Sequence, residues 1–285
     1  MTEQPQLAFR SILVAVDFSP IAKAVVAQAG ALAEEYGAAV TVLHVVPLET
    51  YQFGAPNKLD NARLEAAAKM EKLASGQTFG GKPARTLVEN GEVAHVVDEV
   101  IRREGHDIVV LGTAGRRGLK RFLMGSVAEE ILRGTSIPVV TVGPKAVERG
   151  VRRVRQIVVA TDFSEESKAA LPWAAALAQR HRADVALVHV VPAAIGEDQQ
   201  TLGQKYRERL RQMVPDSLAV PPELMVRFGD AEDEILKAAR ERNADLVLIG
   251  IRGGGGFDRA RTHLLGPTAA TVIAQAECPV LTIRQ

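Results

Sequence analysis

The sequence predicts an α/β fold made of two tandem, doubly wound parallel-sheet domains. Three observations predict it. Short, almost wholly apolar runs alternate with alanine-rich or amphipathic stretches. Turn residues punctuate each change of period, as in strand–helix–strand units with right-handed crossovers. The whole alternation then occurs a second time along the 285 residues.

In the first half, residues 11–16 are nearly all apolar, as expected of a strand covered on both faces. Ser19 and Pro20 supply an N-cap and a proline at the first helical position. The Ala-rich helix that follows runs to about Tyr36, and Gly37 ends it. Residues 40–46 form the second strand, 60–74 a helix and 85–89 a short third strand. A helix over 92–103 leads to the fourth strand at 108–112, and a helix over 126–132 leads to the fifth at 139–142.

Arg10-Ser-Ile-Leu-Val-Ala-Val-Asp-Phe-Ser19 returns as Arg155-Gln-Ile-Val-Val-Ala-Thr-Asp-Phe-Ser164. The match runs without a gap to His-Val-Val-Pro in both copies, at His44–Pro47 and His189–Pro192. A second match brings Asp107-Ile-Val-Val-Leu-Gly112 onto Asp245-Leu-Val-Leu-Ile-Gly250. A period of about 145 residues is far too long for a solenoid and marks a duplicated domain. The expected domains are residues 1–146 and 147–285, joined through Gly143–Gly150.

Composition narrows the function classes. A net charge of +1 gives no polyelectrolyte character, so nucleic acid is not an expected partner. The single cysteine, Cys278, allows no internal disulfide and no zinc cluster, and is expected to fill a core position. No run is long and apolar enough for a membrane span, and the polar N-terminus carries no signal-like segment. A cytoplasmic protein is the expectation.

Chemistry concentrates after the fourth strand. Gly112-Thr-Ala-Gly115 is followed by nine residues and then by Gly125-Ser126, where a helix begins. Such a loop brings backbone N–H groups to a phosphate, with the Ser126 hydroxyl and Arg116, Arg117, Lys120 and Arg121 alongside. The other reading is a surface turn whose glycines only solve backbone geometry; the strand–loop–helix context favours phosphate. Gly76–Lys82 has P-loop spacing, but it follows a helix and ends in Pro83, so it reads as a helix stop and turn. His44 and His189 read as packed, hydrogen-bonded strand residues, and no nucleophile stands beside a base. Arg149, Arg152, Arg153 and Arg155 read as an exposed linker, with an acidic partner as the other reading. The stretch containing Tyr51, Phe53 and Gly54 is a candidate lid.

The strand–Asp-Phe-Ser opening, the His-Val-Val-Pro close and the Gly-x2-Gly-x9-Gly-Ser motif together resemble the universal stress protein family, in a tandem form covering nearly the whole chain. The resemblance implies five strands per domain in the order 3-2-1-4-5. It also implies pairing of 139–142 with 280–283, an internal pseudo-dimer about a pseudo-two-fold. ATP is the implied ligand, with Mg2+ as a companion ion. Gly112 and Gly115 would lie along ribose and phosphates, and Gly125, Ser126 and Val127 would bind phosphate oxygens through their N–H groups. Asp17 would sit near the ribose or the cation, or else merely organise the helix start. Val45 would offer backbone groups to the adenine edge. No catalytic residue and no protein metal ligand is implied.

The second half departs from this pattern. Gly250-Ile-Arg-Gly253 is separated from Gly266 by twelve residues, among them the run Gly253–Gly256 with Asp258, Arg259 and Arg261 close behind. Pro267 stands where Ser126 stood, removing a hydroxyl and one N–H. The second site is therefore expected to be weak, altered or lost, although Asp162 is retained. The function expected is an ATP-binding stress-response protein whose second domain is mainly structural and whose partners are another copy of the chain and unidentified proteins. The alternatives are a slow ATPase or adenylate-type enzyme at the same site, or a nucleotide-free interaction module.

Overall fold

Strands that read as unbroken apolar runs need cover on both faces, and the chain provides it with helices on either side of one sheet. The structure, a computed structural model, describes residues 9–47, 58–74, 78–79, 81–113, 124–192, 198–251 and 265–284. Gly115, the basic set Arg116, Arg117, Lys120 and Arg121, the candidate lid at Tyr51–Gly54, and the Gly253–Arg261 loop lie outside the described residues.

The first half comprises β1 (Ser11–Ala15), α1 (Ala22–Tyr36), β2 (Ala39–Pro47), α2 (Lys58–Ala74), β3 (Thr78–Phe79), β4 (Lys82–Pro83), β5 (Arg85–Gly91), α3 (Val93–Glu104), β6 (Ile108–Gly112), α4 (Ser126–Gly134) and β7 (Val139–Val142). The join holds α5 (Pro144–Arg149), and after it come β8 (Gln156–Ala160), α6 (Glu165–His181), β9 (Asp184–Val191), α7 (Gln199–Met213), β10 (Glu223–Phe228), α8 (Ala231–Glu241), β11 (Leu246–Ile251), α9 (Pro267–Gln275) and β12 (Val280–Arg284).

Ten strands form one sheet in the order β10-β9-β8-β11-β12-β7-β6-β1-β2-β5. Each half contributes a parallel set in the order 3-2-1-4-5, as the resemblance implied. The halves meet where β7 and β12 pair antiparallel, with Thr141 opposite Val280 and Thr282 opposite Val139. The buried Thr141 and Thr282 hydroxyls donate across this seam to the carbonyls of Val280 (3.1 Å) and Val139 (3.2 Å). Alternate residues of each strand feed two core layers. Ile12 and Val14 pack with α1, α2, α6 and α7, while Leu13 packs on the opposite face with α3, α4, α8 and α9.

Three expectations are corrected. Helix α1 starts at Ala22, with Ile21 and not Ser19 at the N-cap. The Ser19 carbonyl accepts from Ala22 N–H in a tight turn through Pro20, and this delays the helix. Its counterpart Ser164 has no proline behind it and does cap α6, accepting from Ser167 N–H. The turn expected near Gly76–Lys82 carries the two-stranded β3–β4 ribbon, which plugs Phe79 into the core against Gly30. The domain join is a short helix, α5, and not a plain linker.

Two of the four arginines of the join, Arg149 and Arg152, engage their own chain, while Arg152, Arg153 and Arg155 are exposed as expected. Arg149 Nη1 donates to the Ala244 carbonyl (2.9 Å), and Arg152 lies 3.3 Å from Asp245 Oδ1. Asp245 Oδ2 accepts the N–H groups of Arg155 (2.9 Å) and Gln156 (3.1 Å), pinning the start of β8. Asp107 does the same at the start of β1, accepting from Arg10 and Ser11 N–H. Cys278 is buried as expected, and burial pushes its thiol up to about 12.

The Asp245 side chain is only 4% exposed, so removing it strands two N–H donors away from water. Asp245→Ala is expected to lower the unfolding free energy by about 2–4 kcal/mol, and Asp107→Ala, in its wetter setting, by roughly half as much. Urea unfolding of both variants checks the ranking; equal losses would refute it.

Candidate functional site

In an open doubly wound sheet a ligand crevice forms beyond the carboxyl ends of the strands, where neighbouring connections leave on opposite faces. In the first half that point lies between β1 and β6, which pair with Ala15 opposite Leu111. Asp17 follows β1, Val45 lies near the end of β2, and Gly112 ends β6. Gly125, Ser126 and Val127 begin α4, and the Gly125 N–H donates 2.8 Å to the Thr113 carbonyl at the end of β6. The topology thus brings six of the seven expected residues to one edge of the sheet; the seventh, Gly115, lies outside the described residues.

Their local roles differ. Asp17 Oδ1 accepts from Ser19 N–H (2.9 Å), closing a turn that holds Phe18 at a φ of +58°. This turn leads into α1. The absent Cβ of Gly112 leaves room for Ile21, whose Cδ1 lies 2.6 Å from where that atom would stand. Gly250 is tighter still, since a Cβ there would fall 1.9 Å from the Glu166 carbonyl oxygen of α6. Packing against the α6 backbone therefore requires the glycine in the second half, whereas at Gly112 the nearest neighbour is the end of a flexible side chain. Val45 is buried in the core, and its backbone pairs in register with Glu89 of β5.

With the Gly125 N–H engaged, the donors that α4 offers are those of Ser126, Val127 and Ala128, first-turn groups for which the helix itself supplies no acceptor. Ser126 and Val127 are both exposed, and no side chain caps this helix. The neighbouring α3 is the reverse case: the Glu92 carboxylate accepts from Ala94 and His95 N–H at 2.9 Å each. An anion meeting this edge therefore finds one helix end occupied and the other open.

Comparison with known proteins was made against this geometry. The model of the universal stress protein family matches the chain twice, over residues 8–143 and 153–284. The chain belongs to the universal stress protein family. A universal stress protein of Mycolicibacterium smegmatis is 28% identical over 296 residues, covering 96% of each chain. One of Thermus aquaticus is 35% identical over 138 residues, covering 46% of this chain and 98% of its own. Among solved structures, a universal stress protein of Archaeoglobus fulgidus superposes with a TM-score of 0.70 at 20% identity, covering 96% of this chain and 98% of its own; that likeness concerns the fold.

The second half of this universal stress protein repeats the frame with different walls. Asp162 Oδ1 accepts from Ser164 N–H (2.9 Å) and from the Ser164 hydroxyl, and Phe163 takes a φ of +67°. Burial pushes the Asp162 carboxyl up, but the hydrogen bonds from Ser164 outweigh it and hold the group below the usual carboxylate range. Thr161, in the place of Val16, bonds to Ser167 (2.8 Å) and accepts from Phe163 N–H (3.0 Å). A cleft of about 350 Å³ opens between the ends of β8 and β11 and the first turns of α8 and α9. The missing phosphate motif led to the expectation that this site is weak, altered or lost, and the cleft does not contradict it. Motif loss says nothing about cavity volume, which side chains from several elements decide together.

The paired histidines are structural, as expected. His44 Nδ1 donates to the Val16 carbonyl (2.7 Å) and His189 Nδ1 to that of Thr161 (2.9 Å), each ring lying against the adjacent phenylalanine. Among the described residues, no group of three or more His, Cys, Asp or Glu is placed to hold a metal ion. Burial depresses the His189 pKa, and nearby Arg209 adds to the effect. Its neutral form therefore stabilises the fold fully above the unfolded histidine value of about 6.5. That stability is lost as the pH falls through the depressed folded value. His106 and His181 shift the same way by burial. Urea unfolding at pH 7.5 and 5.5 should show a drop that is smaller, though not absent, in His189→Gln; an unchanged drop would remove His189 from the account.

Proposed function

We propose that this universal stress protein binds ATP in its first half and uses the nucleotide as a regulatory or structural ligand. The observation that carries the reading is the open N-terminus of α4, facing the crevice between β1 and β6 with Ser126 and Val127 exposed. Three N–H groups and the positive end of the helix dipole meet a phosphate there without displacing a side-chain cap. The likeness of Gly112, Gly115, Gly125 and Ser126 to the family's ATP-binding motif supports the same reading. Ser126, Val127 and Ala128 would bind phosphate oxygens, Val45 would border the base, and Asp17 would face the ribose or an accompanying Mg2+. The second half contributes the other side of the seam and a surface for protein partners, in a cytoplasmic setting. No helix among the described residues is long and apolar enough to cross a membrane.

Calorimetric titration of ATP with magnesium into nucleotide-free protein tests this. Binding at one site per chain is expected, weakened about tenfold to a hundredfold in a Gly125→Val, Ser126→Val variant, the range for losing a hydrogen bond to a charged group. No binding to the folded wild type would sink the proposal.

A further inference from the structure

We infer that the contact between the ends of α1 and α6, and not the strand ladder beside it, decides which half pairs with which across the seam. The end of α1 fits the end of α6 and not a second copy of itself, so the seam takes one first half and one second half. The inference does not depend on ATP binding.

The ladder is indifferent to this choice. β7 reads Val-Val-Thr-Val, and β12 opens Val-Leu-Thr-Ile. In each strand the threonine stands third, and its hydroxyl donates to the carbonyl of the valine that opens the other strand. Two copies of β7, or two of β12, would form the same antiparallel ladder with the same pair of threonine bonds. Edges this alike do not tell a first half from a second half, and an exposed edge accepts any strand that matches it.

The helix ends do tell them apart. The repeat runs at an offset of 145 residues here, so Arg180 is the counterpart of Glu35 and His181 of Tyr36. These counterparts meet each other, which places them at the pseudo-two-fold. His181 Nδ1 lies 2.8 Å from Glu35 Oε1, and its Nε2 accepts from the Tyr36 hydroxyl at 3.2 Å. Arg180 Nη2 donates to the Glu35 carbonyl (2.6 Å), and its guanidinium lies 4.2 Å from the centre of the Tyr36 ring. Acid therefore faces base and hydroxyl faces ring nitrogen, at positions where a true two-fold would set each residue against itself.

Like pairs lose this fit. Two first halves would bring two Glu35 carboxylates to the axis with no cation between them. Two second halves would bring Arg180 and His181 twice, leaving the His181 side chain, 4% exposed, without its carboxylate acceptor. Water reaches Glu35, so screening weakens the charge repulsion and the unmade hydrogen bonds carry most of the selection. A second contact points the same way. The rings of Phe9 and Trp173 stack at 6.1 Å, and the counterparts of these two residues are Val154 and Gln28. A pair of first halves would set Phe9 on Gln28, and a pair of second halves Trp173 on Val154; neither keeps two stacked rings.

Within the full chain, one-sided substitution reproduces each like pair. Arg180→Glu, His181→Tyr gives both halves the first half's residues, and Glu35→Arg, Tyr36→His gives both the second half's. All four substitutions together restore the pairing with its sides exchanged. Arg180 and His181 also suit the C-terminal end of α6 by themselves, where cations favour the helix dipole. The exchanged chain moves that effect to α1, so only the pairing remains to be read. Urea unfolding of these chains, followed by circular dichroism, measures it. Each one-sided variant is expected to lower the folding equilibrium constant about tenfold to a hundredfold, as for a lost hydrogen bond to a charged group. The exchanged chain is expected to be more stable than either, within about fivefold of the wild type, because contacting pairs depart from additivity. An exchanged chain no more stable than the better one-sided variant would overturn the inference, as would one-sided variants equal to the wild type. Where the one-sided chains do not fold at all, the exchanged chain still decides: a folded one supports the selection, and an unfolded one refutes it.

Discussion

The antiparallel pairing of β7 with β12 is the constraint on which the rest of the architecture depends. Each half has one edge strand there, Val-Val-Thr-Val in β7 and Val-Leu-Thr-Ile-Arg in β12, and an exposed apolar edge of that kind invites association. Joining the two edges buries both and closes the ladder with two reciprocal threonine hydrogen bonds. The pseudo-two-fold runs normal to the sheet, so equivalent helices of the two halves fall on the same face. Each core layer therefore continues across the seam instead of stopping at it. On one face Phe9, ahead of β1, packs on Tyr36 at the end of α1 and on Trp173 in the middle of α6, and His181 Nδ1 lies 2.8 Å from Glu35.

The same geometry places the two clefts at opposite edges of the sheet, since the strands of the two halves run antiparallel. Each half was thus free to change its ligand walls without disturbing its twin, while devices that hold the frame stayed put. Asp107 and Asp245 both pin a first strand, Asp17 and Asp162 both close the Asp-Phe-Ser turn, and His44 and His189 both bind a first-strand carbonyl. The outer edges are shielded alike. Arg85 pairs with Glu104 and Arg103 with Glu89 beside β5, as Arg242 pairs with Glu223 and Arg227 with Glu241 beside β10. Such exposed pairs add little stability, but charge on an edge strand discourages a further strand from adding.

Glycine shows how a motif can carry more than one physical cause. The spacing that marks a phosphate loop includes Gly112, and at that position the missing Cβ also leaves room for Ile21. Gly250 keeps the same residue under a still closer helix backbone, although the rest of the phosphate motif is gone. The informative positions are instead those where the halves differ: Ser126 against Pro267, and Val16 against Thr161.

The sequence by itself determined the fold class, the duplication, nearly every strand and the packed role of the two histidines. Those features are written in local periodicity and in a repeat that needs no third dimension to read. It placed the start of α1 too early, because the Ser19-Pro20 pattern of a cap is also the pattern of the turn that Asp17 closes. It missed the β3–β4 ribbon, whose four residues are too short for any period, and of the arginines of the join, read as exposed, it missed only that Arg149 is half-buried against its own chain. Only the tertiary structure decided that Arg149 reaches Ala244, that the Gly125 N–H is already engaged, and that the second half keeps a cleft after losing its motif. Each of these depends on atoms far apart in the chain, and spacing along a sequence does not carry distances across a fold.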